Sequence, residues 1–143
     1  MIALYDYHRS SAAYRVRIAL NLKGLSYEPR AVDLLRGEQL EPGYCEVNPQ
    51  GRVPTLVDQQ RRLGQSLAII EYLDETCPDP PLLPPTAPER ARVRQLAQIV
   101  ACEIHPLNNL RVLQHLEQAL RVDEETRRQW YQRWICLLYT SPS

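Results

Sequence analysis

Residues 77–89 read CPDPPLLPPTAPE and hold six of the chain's 12 prolines. Proline has no amide hydrogen and a φ fixed at about −65°, so neither a helix nor a central strand can run through such a stretch. The polypeptide must fold as separate pieces on either side, and the stretch itself predicts an extended, stiff connector. This places a boundary at residues 78–88, with one domain at 1–77 and the start of another at 89–135. A chain of 143 residues is long enough for one compact domain or two small ones.

Ahead of the prolines the pattern alternates between strand and helix. Ile2–Tyr5 reads as a strand, followed by a turn at Asp6–Ser11. Residues 12–22 predict a helix with Ala12, Val16, Ala19 and Leu20 along one face, stopped by Gly24. YEPRAVDL predicts a second strand with Tyr27, Pro29 and Ala31 on one side, although Pro29 is a breaker. GEQLEPGYCEVNP reads as a loop with a short helical piece. VPTLVD is a clear strand, joined through DQQR to RRLGQ as a hairpin. SLAIIEYLDETC is a helix with Ser66 as its cap and Leu67, Ile70 and Leu73 at helical spacing. Strand–helix–strand joined to strand–strand–helix is the thioredoxin-like layout, an α/β domain.

Beyond the prolines, ERARVRQLAQIVACEIHPLNNLRVLQHLEQAL is one long helical pattern, with Val93, Leu96, Val100, Ile104, Leu107, Leu110 and Leu113 recurring every three or four residues. Pro106 withholds the amide that would bond the Cys102 carbonyl, which predicts a kink rather than an end. DEETRRQWYQRWI predicts a further helix capped by Asp123. This half is expected to be all-α. The closing CLLYTSPS abandons the helical pattern where a helix should bury Trp130, Trp134 and Ile135. It also translates from a string resembling a transposon-end sequencing adapter. Residues 136–143 are therefore expected to be a non-native tail, with the natural chain continuing past Ile135.

Net charge is zero, from 17 acidic and 17 basic residues, so no general attraction to nucleic acid or an anionic membrane is implied. The opening MIALYDYHRS has neither a basic leader nor a cleavage signal, and no stretch approaches the roughly 20 apolar residues of a membrane span. The expectation is a cytoplasmic protein that partners neither nucleic acid nor membrane. Cys45, Cys77, Cys102 and Cys136 form no Cys-x-x-Cys pair, so no metal or redox site is predicted and the thiols read as small hydrophobes.

Three places can carry chemistry. HRSSAAYRVRIAL, residues 8–20, sets Ser10 and Ser11 at a helix start, where unpaired amides and about half a positive charge gather. That environment lowers a thiol pKa from about 8.5 toward neutrality, and a serine there can cap the helix while donating to a sulfur. Ala12 and Ala13 follow, so the sulfur has to come with a ligand. Arg15 and Arg17 are two apart and do not share a helix face. One is expected to face water or a structural carboxylate, and neither is assigned to chemistry. In NPQGRVPTL, a proline after Val53 at the head of a strand is where thioredoxin-like folds place a cis bond. That would turn the Val53 N–H and C=O outward, toward an extended peptide. Gln65 and Ser66 stand at another helix N-terminus, suited to a carboxylate. Each place also has a purely structural reading, as cap or turn. Together, a thiol, a peptide amide and a carboxylate describe one small ligand, glutathione.

RSSAAYRVRIALNLKGLSYE, NPQGRVPTL, QSLAIIEYLDE and EIHPLNNLRVL together resemble the zeta-class glutathione transferases, a family that includes maleylacetoacetate isomerases and bacterial maleylpyruvate isomerases. The similarity runs from residue 1 to about residue 135. The resemblance implies an α/β thioredoxin-like N-terminal domain followed by an all-α glutathione-transferase C-terminal domain, incomplete here, and a homodimer when full length. It implies a cis–trans isomerase with glutathione as cofactor. The thiolate adds to a cis double bond conjugated to carbonyls, the bond rotates, and the thiolate leaves from the trans product. Maleylacetoacetate would become fumarylacetoacetate, in tyrosine and phenylalanine catabolism. By this resemblance the catalytic roles fall to Ser10, Ser11 and Arg9. Glutathione contacts fall to Ser10, Ser11, Gln39, Val53, Pro54, Gln65, Ser66, Asn108 and Asn109. Contacts to a small cis-dicarboxylate substrate fall to Arg9, His105 and Arg111, since an enolate forming beside carboxylates needs cations. No metal ligand is implied.

The chain departs from the family pattern in two places. Many relatives read Ser-Ser-Cys, and Ala12 takes the cysteine position, which touches only side reactions that use that thiol. The later C-terminal helices are missing, with a further arginine expected in them, so the apolar faces of 91–113 and 124–135 are expected to be partly uncovered. The residues leave open a maleylpyruvate isomerase, a general glutathione S-transferase that keeps the adduct and, in another class, a non-enzymatic thioredoxin-fold interaction module.

Overall fold

The computed structural model describes residues 1–136, so all of the expected tail but Cys136 lies outside the described residues. The chain divides into two compact units, one of Met1–Pro84 and one beginning at Pro85. The division falls inside the proline-rich segment.

In the first unit β1 (Ile2–Asp6), α1 (Ser11–Leu22), β2 (Tyr27–Ala31), a 3-10 turn (Glu38–Leu40), α2 (Pro42–Cys45), β3 (Thr55–Asp58), β4 (Arg61–Gly64) and α3 (Ser66–Thr76) follow in order. The strands form a 4-stranded sheet in the order β2-β1-β3-β4. β2 runs parallel to β1, while β3 is antiparallel to both β1 and β4. A parallel pair needs a crossover, and α1 supplies it. This is the thioredoxin-like α/β arrangement. The core is where the two long helices meet the sheet: Val16, Ala19 and Leu20 of α1 and Ile69 and Leu73 of α3 pack with Leu4 and Leu56, all 3% exposed or less. Each large apolar side chain buried this fully contributes about 1.5–3 kcal/mol. Gly24, at φ +63°, ends α1, and the Leu25 amide donates back to the Leu20 carbonyl. That is the left-handed glycine stop expected at this position.

The structure differs from the sequence expectation at several boundaries. β2 ends at Ala31, and Pro29 and Ala31 are exposed rather than turned to a core. β2 is an edge strand, where a missing amide hydrogen is tolerated. The third strand begins at Thr55, not Val53. The proline segment is not a free connector over its first half. Lys23 is buried, and its Nζ pairs with Asp74 Oδ1 and donates to the carbonyls of Cys77 (2.6 Å) and Pro80 (2.7 Å). Asp74 Oδ1 in turn accepts from the Leu82 amide at 2.9 Å. Residues 78–84 are thereby fastened to the C-terminal ends of α1 and α3.

The second unit is helical: α4 (Ala87–Gln98), a π-helical segment (Ile99–Ile104), α5 (His105–Asn108), α6 (Leu110–Gln118) and α7 (Glu124–Ile135). The expected single kinked helix is thus broken more deeply. Ahead of Pro106 the chain widens into π geometry, and the His105 amide reaches the Val100 carbonyl, five residues back. After α5 the backbone leaves the helix at Asn109 (φ −77°, ψ 163°), whose side chain accepts from the Val112 amide and starts α6. Asp123 caps α7 as its position predicts, accepting from the Thr126 amide. The Trp130 indole donates to the Leu107 carbonyl at 2.9 Å. Ile104 alone is buried among the described residues of this unit, and Val93 and Leu96 are each 39% exposed. Cys45 and Cys77 are half-buried, but Cys102 and Cys136 are exposed and so do not serve as core hydrophobes. Among the described residues, no helix is long and apolar enough to cross a membrane.

Candidate functional site

One arginine holds the turn between β1 and α1. Arg17 Nη1 pairs with Asp6 Oδ2 at 2.6 Å, and its Nη2 donates to the His8 carbonyl at 3.2 Å. The Ser10 amide donates to the Tyr7 carbonyl at 2.8 Å. The turn bearing Arg9, Ser10 and Ser11 is therefore tied to its own helix. Ser10 is the N-cap, at φ −76° and ψ 113°, and its Oγ accepts from the Ala13 amide at 3.2 Å. Capping uses an oxygen lone pair and not the hydroxyl proton, so the same group can donate to a ligand. Ser10 is half-buried; Arg9 and Ser11 are exposed.

The second feature is the loop before β3. The Val53–Pro54 peptide is cis, as the sequence predicts. The Arg52 carbonyl beside it accepts from the Tyr44 hydroxyl (2.5 Å), Asn48 Nδ2 (2.8 Å) and Thr55 Oγ1 (3.3 Å). Asn48 Nδ2 also donates to Thr55 Oγ1 at 2.9 Å, and Asn48 Oδ1 accepts from the Gln50 amide at 3.0 Å. Tyr44, Asn48 and Thr55 are all buried. Burial pushes the Tyr44 phenol above its ordinary pKa, against the opposing pull of its Thr55 and Asn48 hydrogen bonds. The sheet register begins at Thr55, which leaves the Val53 N–H and C=O outside the ladder. Gly51 sits at φ +60°, and a Cβ there would stand 3.1 Å from the Gln39 carbonyl oxygen, so Gln39 lies against this loop. Gln39 Oε1 is buried with no hydrogen-bond partner among the described residues.

The third feature is the start of α3. Gln65, not Ser66, is the N-cap residue, and its side chain makes no capping bond. Ser66 is instead the first helical residue, buried, with its Oγ accepting from Arg15 Nη1 at 3.1 Å. The serine expected to cap its helix is thus turned toward α1. Gln65 has φ 65° and ψ 111°, an uncommon backbone for a residue with a side chain. Its Nε2 donates to Gln50 Oε1 at 3.2 Å, which joins this turn to the loop before β3. Arg15 also donates from Nε to the Ser11 carbonyl at 3.4 Å. It therefore spans the N-termini of α1 and α3.

Sequence reasoning left Arg15 unassigned, because only the packing of α1 against α3 brings position 15 to position 66. It also passed over Asn48, whose Asn-Pro pair ahead of a glycine was the available signal. Arg17 meets a structural carboxylate, as expected for one of the pair. Arg15 thus links the Ser11 carbonyl to the Ser66 hydroxyl, and Ser10 and Gln65 are the cap residues next to them. Val53 and Pro54 lie on the loop before β3, and Gln39, in the 3-10 turn, lies against that loop. Two helix N-termini so joined favour anionic groups.

The remaining candidates belong to the second unit. Asn109 caps α6 and donates from Nδ2 to the Pro106 carbonyl at 2.8 Å. Asn108 Nδ2 donates to the Tyr131 carbonyl at 3.1 Å, and its Oδ1 is buried without a hydrogen-bond partner among the described residues. His105 opens α5, and Arg111 is exposed at the second position of α6. Among the described residues, no group of His, Cys, Asp and Glu could hold a metal ion.

A probable maleylacetoacetate isomerase of Vibrio cholerae is 54% identical over 136 residues, covering 94% of this chain and 63% of that protein. Among solved structures, a holo maleyl pyruvate isomerase, a bacterial glutathione S-transferase of the zeta class, superposes with a TM-score of 0.92 at 47% identity, over 94% of this chain and 64% of that one. A maleylacetoacetate isomerase from Methylobacterium extorquens AM1 with bound malonate and GSH superposes with a TM-score of 0.88 at 46% identity, over 92% of this chain and 62% of that one. The chain spans about three fifths of the length of the curated relatives it matches. The family model for the glutathione S-transferase N-terminal domain matches residues 4–81. That match takes in nearly the whole first unit, with the sheet and both helix starts, and the chain belongs to the glutathione S-transferase family.

Proposed function

We propose that the complete protein is a glutathione-dependent cis–trans isomerase of maleylacetoacetate-type substrates, acting in the cytoplasm as a homodimer. The observation that carries this reading is the pair of helix N-termini, each with a serine, bridged by Arg15. Glutathione offers a thiol and carboxylates to such ends. Kinship supports the substrate class, since the similar proteins above are isomerases of maleyl compounds and one was solved with GSH.

The residues present fit glutathione. Ser10 and Ser11 would hold the sulfur, the Val53 backbone beside Pro54 a peptide group, and Gln65 and Ser66 a carboxylate. Gln39 has a buried acceptor, Oε1, without a partner among the described residues, and so can take a ligand N–H. When bound, glutathione supplies a thiolate that can add to and leave a conjugated cis double bond. The start of α1 favours the anionic form of that sulfur, and a shift of about two pKa units is worth roughly 2.7 kcal/mol. Ser10 donates its proton without releasing the Ala13 amide. Arg9, exposed on the turn, offers positive charge to a substrate carboxylate in the first unit. His105, Asn108, Asn109 and Arg111 are the proposed ligand contacts of the second.

The test follows free thiol while the complete protein turns over maleylacetoacetate. Constant thiol with accumulating trans product supports the proposal; no turnover overturns it. Stoichiometric loss of thiol makes the protein a conjugating transferase, a reading that the family match favours in its own right. Maleylpyruvate assayed in parallel separates the two isomerase substrates. Glutathione at about 100 times its Kd should add about 2.7 kcal/mol to stability; no thermal shift would leave an interaction module.

A further inference from the structure

We infer that Arg15 is a positioning residue for glutathione, setting both the Ser66 hydroxyl and the spacing of the two helix N-termini. The inference rests on the glutathione reading above. Ser66 is 7% exposed at the first position of α3. Its Oγ accepts from Arg15 Nη1 at 3.1 Å, so one acceptor position of the hydroxyl is filled, and filled by a cation. A hydroxyl polarised by a guanidinium donates more strongly, and its proton turns away from the positive group. Such a hydroxyl favours a carboxylate over a neutral acceptor.

The same guanidinium reaches the first turn of α1 through Nε and the Ser11 carbonyl at 3.4 Å. The planar fork of arginine engages two partners in fixed directions, which a lysine ammonium does not. One side chain therefore touches the helix start assigned to the sulfur and the helix start assigned to a carboxylate. On the far side, Gln65 enters α3 at φ 65° with its amide on Gln50, so Ser66 is held from both directions. Loss of Arg15 weakens carboxylate recognition while leaving the Ser10 cap and the Asn48 loop in place, since neither uses it.

The experiment is calorimetric titration of the full chain with glutathione and with two truncated thiols, cysteinylglycine and γ-glutamylcysteine. Arg15→Met should weaken glutathione binding about tenfold, with Arg15→Lys recovering part of the loss. Ser66→Ala should show a similar loss, and the double variant should bind no worse than the weaker single variant, the sign of one shared interaction. The truncated thiol that lacks the carboxylate at α3 should bind wild type and Arg15→Met alike. Melting of the ligand-free variants checks folding; if Arg15→Met unfolds, Arg15→Lys and Ser66→Ala carry the test. Glutathione binding within twofold of wild type in Arg15→Met, or additive losses in the double variant, overturns the inference alone. A wild-type chain that binds no glutathione overturns the underlying reading and the inference with it.

Discussion

Asn48 stands at the centre of the loop that presents Val53, and replacing it measures how that loop is held. Its Nδ2 donates to the Arg52 carbonyl at 2.8 Å and to Thr55 Oγ1 at 2.9 Å, and its Oδ1 accepts from the Gln50 amide at 3.0 Å. Asn48→Ala removes all three. At a net value of about 1 kcal/mol each, reduced because the Arg52 carbonyl keeps the Tyr44 and Thr55 donors, the loss is about 2–3 kcal/mol. With a urea dependence of about 1–3 kcal/mol per molar, the unfolding midpoint should fall by about 1–2 M. Asn48→Asp is the sharper arm. It keeps the shape but replaces the donor with an acceptor that faces two oxygens, so it should lose at least as much as alanine. Urea titration followed by circular dichroism reads both, and glutathione binding should weaken in parallel. If Asn48→Asp keeps the wild-type midpoint, Asn48 only fills space, and the hydrogen-bonded account of the loop is wrong.

Ser10→Ala should cost about 0.5–2 kcal/mol of stability through the lost cap. In the complete protein, on the proposed reading that the hydroxyl donates to the glutathione sulfur, it should lower kcat more than it raises KM. Lys23→Met takes the cation from the Asp74 carboxylate, which keeps the Leu82 amide, and the Nζ donor from the Cys77 and Pro80 carbonyls. It should destabilise the first unit by about 3–5 kcal/mol in denaturant titration. The Thr126 amide and hydroxyl hold the Asp123 carboxyl below its usual 3.8. Because the folded value is the depressed one, the cap's stabilisation is complete above the usual value and is lost as pH falls through the folded one. Helix content followed from pH 5 to pH 2 should show this step, and Asp123→Asn should remove it.

Much of the first unit was readable because its signals are local. The apolar spacing of Ala12, Val16, Ala19 and Leu20, the glycine stop at 24 and the Thr55–Gly64 hairpin each lie within a few residues, and the structure realises all three. Ser10 at the head of α1 and Asp123 at the head of α7 were legible for the same reason, since a cap bonds only three residues ahead. Where a local rule met a tertiary demand, it failed. Ser66 has a capping residue's chemistry, yet it stands one position inside α3 and its hydroxyl serves Arg15, 51 residues away in the chain. The helical pattern through Pro106 is continuous in sequence, but the missing amide is absorbed by π geometry upstream and a break at Asn109 downstream.

The sequence by itself determined the order of the strands and long helices in the first unit and, to within about a residue, the starts of α1 and α3, because caps, turns and apolar periodicity are written in neighbouring residues. The tertiary structure alone decided that Arg15 links those two starts, that three donors converge on one carbonyl at Arg52, and that Lys23 fastens the prolines. Each joins residues distant in the chain or on opposite sides of a turn. Such contacts depend on how α1, α3 and the loop pack on the sheet, which no local spacing encodes.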